Sequence, residues 1–249
     1  MSKEGFENEN IICNAINGKR FYELNDNLKN FLSCLFGYVS KHDIIFCEKK
    51  AGMNKSDVII SLDKKSYNIS IKSGSGNSVH QETIEDFIKY LKKDFNLPND
   101  LEKYIKLFIW GDGTINGKGL VKYRIDSREF ERKYPLIINR INVFFKKNKK
   151  KLIKRFVING LKSKYSIDYI YYGDVDKGYW SDSESILNFL IDDLNESNSV
   201  ISVGRLSFQA WNRNINNTVV SEKKRGVIQL KWASIGTDLK NLMEKGLHE

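Results

Sequence analysis

Two apolar runs, Ser56-Asp57-Val58-Ile59-Ile60-Ser61-Leu62 and Tyr67-Asn68-Ile69-Ser70-Ile71-Lys72, are joined by the polar stretch Asp63-Lys64-Lys65-Ser66. β-Branched residues dominate both runs, and a short polar turn between such runs signals a β-hairpin. The hairpin commits the chain to a sheet, and its ends carry one carboxylate and one ammonium. Twelve residues separate Asp57 from Ser70, and one apolar residue separates Ser70 from Lys72. A carboxylate beside an ammonium at one strand end suits a metal ligand next to a charge that helps to activate water, the chemistry of phosphodiester hydrolysis.

Segments with helical spacing flank the hairpin. Phe6 to Asn17 places Phe6, Ile12, Ala15 and Ile16 on one face, and Leu24 to Val39 repeats the pattern with Leu28, Phe31, Leu32 and Leu35. A short strand at Ile44-Ile45-Phe46-Cys47 and a turn at Gly52 and Asn54 come next. After the hairpin and the loop Ser73 to Ser78, a helix is predicted over Val79 to Phe95, ended by Pro98 and Asn99. Leu101 to Trp110 fits a helix or a strand, and Gly111 to Gly119 reads as a loop. Farther on, the spacing predicts a long helix from Arg128 capped by Ser127, a strand over Tyr165 to Tyr172, and a helix over Ser183 to Leu194. Long strands over Val200 to Trp211 and Gly226 to Ala233 and a helix over Thr237 to Lys245 follow.

With 249 residues the chain can bury a sizeable core, and one continuous body over 1–249 is expected. Cys13, Cys34 and Cys47 lack CxxC spacing and lie among apolar residues, which suits reduced thiols rather than disulfides or zinc. Charges interrupt every apolar stretch well short of the roughly 20 residues that span a bilayer, and a soluble, cytoplasmic protein is expected. A formal net charge of +10 suits a polyanionic partner, although an excess of Lys, Asn and Ile with only two prolines is also what an AT-rich genome imposes.

A helix bearing Glu, a strand opening on Asp, a strand ending in x-x-Lys and a following helix resemble, in that order, the PD-(D/E)xK nuclease superfamily and its type II restriction endonucleases. The resemblance covers about residues 4–95. It implies an α/β restriction-endonuclease-like core, a mixed central sheet flanked by helices, with an elaborated C-terminal half that reads DNA over about residues 120–249. By the match Asp57 binds a divalent metal, Mg²⁺ or Mn²⁺, and Lys72 contacts the attacking water or the scissile phosphate. Ser70 stands where the family carries a second acid, so the second ligand is expected from the following helix, with Glu82 first and Glu85 and Asp86 behind it. One carboxylate is too few for a hard cation that competes with phosphate for oxygen ligands. Glu9, ahead of Glu7, is the candidate for the first-helix acid, although a glutamate in a first turn also complements the helix dipole.

The segment Gly204 to Asn214 interleaves Arg, Gln and Asn with aromatics, side chains that pair with guanine and adenine in the major groove. Arg205, Gln209, Asn212 and Arg213 are the candidate base readers, with Lys223 and Arg225 as phosphate contacts. As a strand, this segment would set Arg205, Ser207, Gln209 and Trp211 on one face and Leu206, Phe208 and Ala210 on the other. The reading is therefore a Mg²⁺-dependent endonuclease acting on double-stranded DNA, catalysed by Asp57, Ser70, Lys72, Glu82 and Glu9. A palindromic target would favour a homodimer. Its competitors are a binding protein on the same core, in which Ser70 marks a lost metal site, and a nuclease with the same site acting on RNA or on branched DNA.

Overall fold

The structure, a computed structural model, describes residues 3–50, 55–74, 78–160, 166–192 and 197–246. The chain divides into two compact units, 1–77 with 154–189 and 234–249 forming the first, and 78–153 with 190–233 the second.

In the first unit, helix α1 (Lys3–Ile16) precedes the two-residue strand β1 (Lys19–Arg20) and helix α2 (Asp26–Phe36). Asn25 caps α2 by accepting the Leu28 backbone N–H at 2.9 Å. Strands β2 (Ile44–Lys49), β3 (Val58–Leu62) and β4 (Lys65–Lys72) run antiparallel, and the β3–β4 connection is the expected hairpin. Leu62 pairs with Lys65, so only Asp63 and Lys64 turn, with Asp63 in the left-handed region at φ 52°.

Across the second unit's sequence, strand β5 (Ser78–Thr83) leads into helices α3 (Ile84–Phe95), α4 (Asn99–Trp110), α5 (Ser127–Lys133) and α6 (Pro135–Ile153). Back in the first unit, a π-helical turn (Lys154–Asn159) precedes β6 (Tyr169–Gly173) and β7 (Gly178–Asp182). β6 lies parallel to β4 with Ile69 opposite Tyr169, and β7 lies antiparallel to β6. The sheet is therefore mixed, in the order β1-β2-β3-β4-β6-β7. β4 is central, which is why Ile69, Ser70 and Ile71 are buried in succession where an edge strand would alternate. Ile12, Ile16, Leu28, Phe31, Leu32, Val58, Ile60 and Ile69 form its core with Tyr171 and Trp180, whose rings stack 6.0 Å apart.

Helix α7 (Ser183–Ile191) leads to the remaining strands of the second unit, β8 (Ser202–Val203) and β9 (Leu206–Ala210), then the single-turn α8 (Val219–Glu222) and β10 (Val227–Lys231), and α9 (Ile235–Gly246) closes the first unit. The second unit's strands form an antiparallel sheet in the order β5-β10-β9-β8. Phe208 of β9 anchors the core there, its ring 4.9 Å from Phe145 and 5.5 Å from Phe87.

Four sequence expectations change. The helix predicted over Val79 to Phe95 is a strand as far as Thr83, because Thr83 caps α3 through the Asp86 N–H and the residues before it pair with β10. The long helix from Arg128 is two helices, broken where Pro135 lacks an N–H, and Asp126 rather than Ser127 caps the first. The strand over Val200 to Trp211 is a hairpin, turned at Gly204 with φ 58°, where a Cβ would meet the Leu190 carbonyl at 2.2 Å. The sheet also takes β6 and β7 from beyond residues 4–95, and β7 was not foreseen. The turn around Gly52 and Asn54 lies outside the described residues.

Candidate active site

The ladder that pairs Val58 with Ile69 sets Asp57 across from Ser70 at the next step, and the Asp57 N–H donates to Ile69 O at 2.9 Å. Oδ2 of Asp57 accepts hydrogen bonds from Ser70 Oγ at 3.0 Å, the Ile71 N–H at 2.6 Å and Lys72 Nζ at 3.0 Å. Lys72 Nζ also donates to the Ile71 carbonyl at 2.8 Å. Ser70, almost wholly buried, thus fixes the Asp57 carboxylate from the position where the family pattern has an acid. The first two donors are uncharged and the third is an ammonium, so one carboxylate oxygen is oriented with a single full charge opposite it.

A second carboxylate of the same unit joins them. On α1, Glu9 lies three and four residues before the buried Ile12 and Cys13, which places it on the helix face turned toward the sheet. Cys13 Sγ donates to the Cys47 carbonyl at 3.2 Å and Asn8 Nδ2 to the Gly173 carbonyl at 2.8 Å, which fixes that face against β2 and the end of β6. Lys49 Nζ lies 3.2 Å from Glu9 Oε2, at the end of the β2 face that buries Ile45 and Cys47. Burial raises the Glu9 carboxyl above its ordinary value and the negative charge of Asp57 raises it further, while Lys49 and Lys72 oppose both.

Lys49 and Lys55 were not singled out from the sequence. Lys49 carries a signal in retrospect, since it continues the inward parity of Ile45 and Cys47. Lys55 donates to the Phe156 carbonyl in the π-helical turn, and burial, then the charge of Lys72, push its ammonium down to about 7 against the pull of Asp57.

Glu82 belongs to the second unit, on β5 opposite Ile228, with its carboxylate 2.9 Å from His80 Nε2 and both side chains buried. Glu85 and Asp86 occupy the exposed first turn of α3, where Glu85 pairs with Lys106 at 3.1 Å and Asp86 accepts from Thr83 Oγ1 at 2.8 Å. Residues 75–77 of the Ser73 to Ser78 loop lie outside the described residues.

Among the expected DNA contacts, two arginines have structural work instead. Arg213 is buried, donates to the Phe108 carbonyl and to Ser127 Oγ at 2.7 Å, and lies over the Phe108 ring at 4.7 Å. Gly111 makes room for it, since a Cβ there would stand 2.5 Å from Arg213 Cδ. Arg225 pairs with the buried Asp112 at 2.8 Å and donates to the Gly117 carbonyl at 3.1 Å. Interleaved Arg and aromatic residues therefore build this unit's interior, a pattern that sequence cannot tell from a groove-reading surface. Arg205 pairs with Asp192 at 3.3 Å, Gln209 donates to Gln229 at 3.0 Å, and Asn212 to Ser221 Oγ at 3.2 Å. Lys223 is exposed. The face assignment holds along β9, with Leu206, Phe208 and Ala210 buried and Ser207 and Gln209 half-exposed.

Comparison with solved structures matches this chain to the crystal structure of restriction endonuclease MspI in complex with its cognate DNA, with a TM-score of 0.55 over 87% of this chain and 85% of that one. The fold is that of a restriction endonuclease. At 12% sequence identity the likeness is one of fold. No protein-family model matches the sequence, and no curated protein matches it.

The residues of the first unit suit a hard divalent cation. Among the described residues no group of three His, Cys, Asp or Glu side chains gathers, but Mg²⁺ is commonly held by one or two carboxylates and completes its shell with waters. Burial, and after it the charge of Asp57, raise the Glu9 carboxyl, and a cation held between the two carboxylates opposes both. No helix among the described residues is long and apolar enough to cross a membrane.

Proposed function

We propose that the chain is a Mg²⁺-dependent endonuclease that hydrolyses phosphodiester bonds of double-stranded DNA, with its active site at the ends of β3 and β4. The observation that carries this reading is the convergence of Ser70 Oγ, the Ile71 N–H and Lys72 Nζ on one oxygen of Asp57, beside the Glu9 carboxylate, on a restriction-endonuclease fold. Asp57 and Glu9 are the proposed ligands of Mg²⁺ or Mn²⁺. When bound, the cation supplies Lewis-acid neutralisation of the charge that develops on the phosphate.

The chain's own residues do the rest. An ammonium has three N–H donors, and Asp57 and the Ile71 carbonyl engage two of Lys72's. The third orients the attacking water or a phosphate oxygen, and the positive charge beside it stabilises the transition state. Ser70 holds Asp57 in place, and Lys49 holds Glu9. A homodimer acting on a palindromic site completes the proposal.

Cleavage of plasmid DNA by Glu9→Gln and by Glu82→Gln tests the ligand assignment. Loss of cleavage in Glu9→Gln alone supports the Asp57 and Glu9 pair. Loss in Glu82→Gln alone overturns it.

A further inference from the structure

The second unit exposes an apolar tip that its own polar network holds rigid. Val219 and Val220 of α8 are 82% and 71% exposed, and Ile215 nearby is 45% exposed. Adjacent β-branched residues are poor helix formers, so helix propensity does not account for two valines in a single-turn helix. The segment beneath them is closely tied. Asn214, in the left-handed region at φ 52°, accepts the Thr218 N–H at 2.7 Å and donates to the Thr218 carbonyl at 3.0 Å and to Glu222. Arg124 donates to the Asn214 carbonyl at 2.9 Å and to Glu222 at 3.1 Å, while Arg225 joins Glu222 at 3.1 Å to the buried Asp112 at 2.8 Å. Thr218 caps α8 through the Ser221 N–H at 3.3 Å. Two arginines and a buried carboxylate thus brace a loop whose outermost apolar side chains face solvent.

Exposed apolar side chains on a braced loop mark a contact surface, because presenting them to water is unfavourable and preorganising them favours binding. The basic residues beside the tip suit a polyanionic partner. Lys223 is exposed directly after α8, Lys224 lies over the Trp211 ring at 5.0 Å, and the chain carries a net charge of +10. An apolar tip flanked by ammonium groups fits a nucleic-acid groove, where apolar side chains contact thymine methyl groups or wedge between base steps and lysines neutralise phosphates.

We propose that Val219 and Val220 form an apolar prong that contacts bases in a groove of duplex DNA, with Lys223 on the adjoining phosphates. This inference rests on the proposed action on double-stranded DNA and assigns the sequence-dependent part of its recognition to the 212–224 segment, where the expected Arg213 is engaged in the interior.

The test uses the full chain with EDTA, so that no cleavage intervenes, and a pool of randomised duplexes from which bound DNA is selected and sequenced. Affinities for an enriched duplex and for an unselected one are then measured by fluorescence anisotropy. Combined Val219→Ser and Val220→Ser should keep the wild-type melting temperature and bind the enriched duplex about tenfold more weakly, with the unselected duplex little affected. Lys223→Ala should weaken both duplexes alike and lower the salt dependence by about one charge. Equal binding of the enriched duplex by wild type and the valine variant, or enrichment of no sequence by the wild type, overturns the prong while leaving action on DNA intact. Wild-type self-association that the valine variant abolishes, with DNA binding unchanged, assigns the surface to a second copy of the chain and also overturns it. A wild-type chain that binds no duplex overturns the parent reading and the prong together.

Discussion

The Lys72 ammonium lies 3.0 Å from Oδ2 of Asp57, the same oxygen that Ser70 and the Ile71 N–H hold from the sheet. Because backbone and a buried hydroxyl fix the aspartate, the lysine meets a preset charge and needs little reorganisation to act. Lys72→Ala is expected to lower DNA cleavage by about 100-fold or more while duplex affinity in EDTA changes only a few-fold. Parallel cleavage and anisotropy measurements check this. Wild-type turnover in the variant would remove Lys72 from the chemistry.

Glu9 presents the opposite balance of stability and function. Its carboxyl is raised by burial and by Asp57, so without metal the ionised form destabilises the fold, and that loss grows as the pH rises from the ordinary carboxylate range through the folded value. Glu9→Gln should therefore melt no lower than wild type at neutral pH in EDTA, lose cleavage, and gain less melting temperature from added Mg²⁺. Scanning calorimetry with and without the ion measures all but the cleavage.

Arg225 and Asp112 form a buried pair, and Arg213 fills the space beside Gly111. Removing one partner of a buried pair leaves an uncompensated charge, so Arg225→Ala is expected to cost about 3–5 kcal/mol in urea unfolding. Arg213→Ala should also destabilise, since it strips the Phe108 carbonyl and Ser127 of a donor. A base-reading arginine would instead alter binding with stability unchanged.

Acid should act on the second unit through the same carboxylate. Burial opposes ionisation of Asp112, but hydrogen bonds from Thr114, Arg225 and Gly119 outweigh it and hold the carboxyl below its ordinary value. The unfolded chain then takes up the proton first, so this contribution is complete above the ordinary carboxylate range and is lost as the pH falls through the depressed folded value. Urea midpoints taken at falling pH should decline more steeply for wild type than for Asp112→Asn.

Hairpin, first helices and the pairing of Asp57 with Lys72 were legible because each rests on local pattern: β-branched runs around a polar turn, apolar residues at helical spacing, and charges at strand ends. The 79–83 stretch was misread since Val79 is its single apolar residue, too few to show a period, and pairing with β10, about 150 residues later in the chain, makes it a strand. The partnership of Glu9 with Asp57 was open for a related reason, being set by how α1 packs on β2. Arg213 and Arg225 show the limit most plainly, because an arginine among aromatics has the same sequence whether the rings line a groove or a core.

Cleavage of mixed plasmid and phage DNA by wild type and Asp57→Ala, each with Mg²⁺ and with EDTA, tests the central claim most directly. Discrete fragments from wild type with Mg²⁺ alone, absent with EDTA and absent from Asp57→Ala, are the expected result. Intact DNA in every lane, or the same fragments from wild type and Asp57→Ala, would contradict the assignment of the β3–β4 site as a metal-dependent nuclease centre.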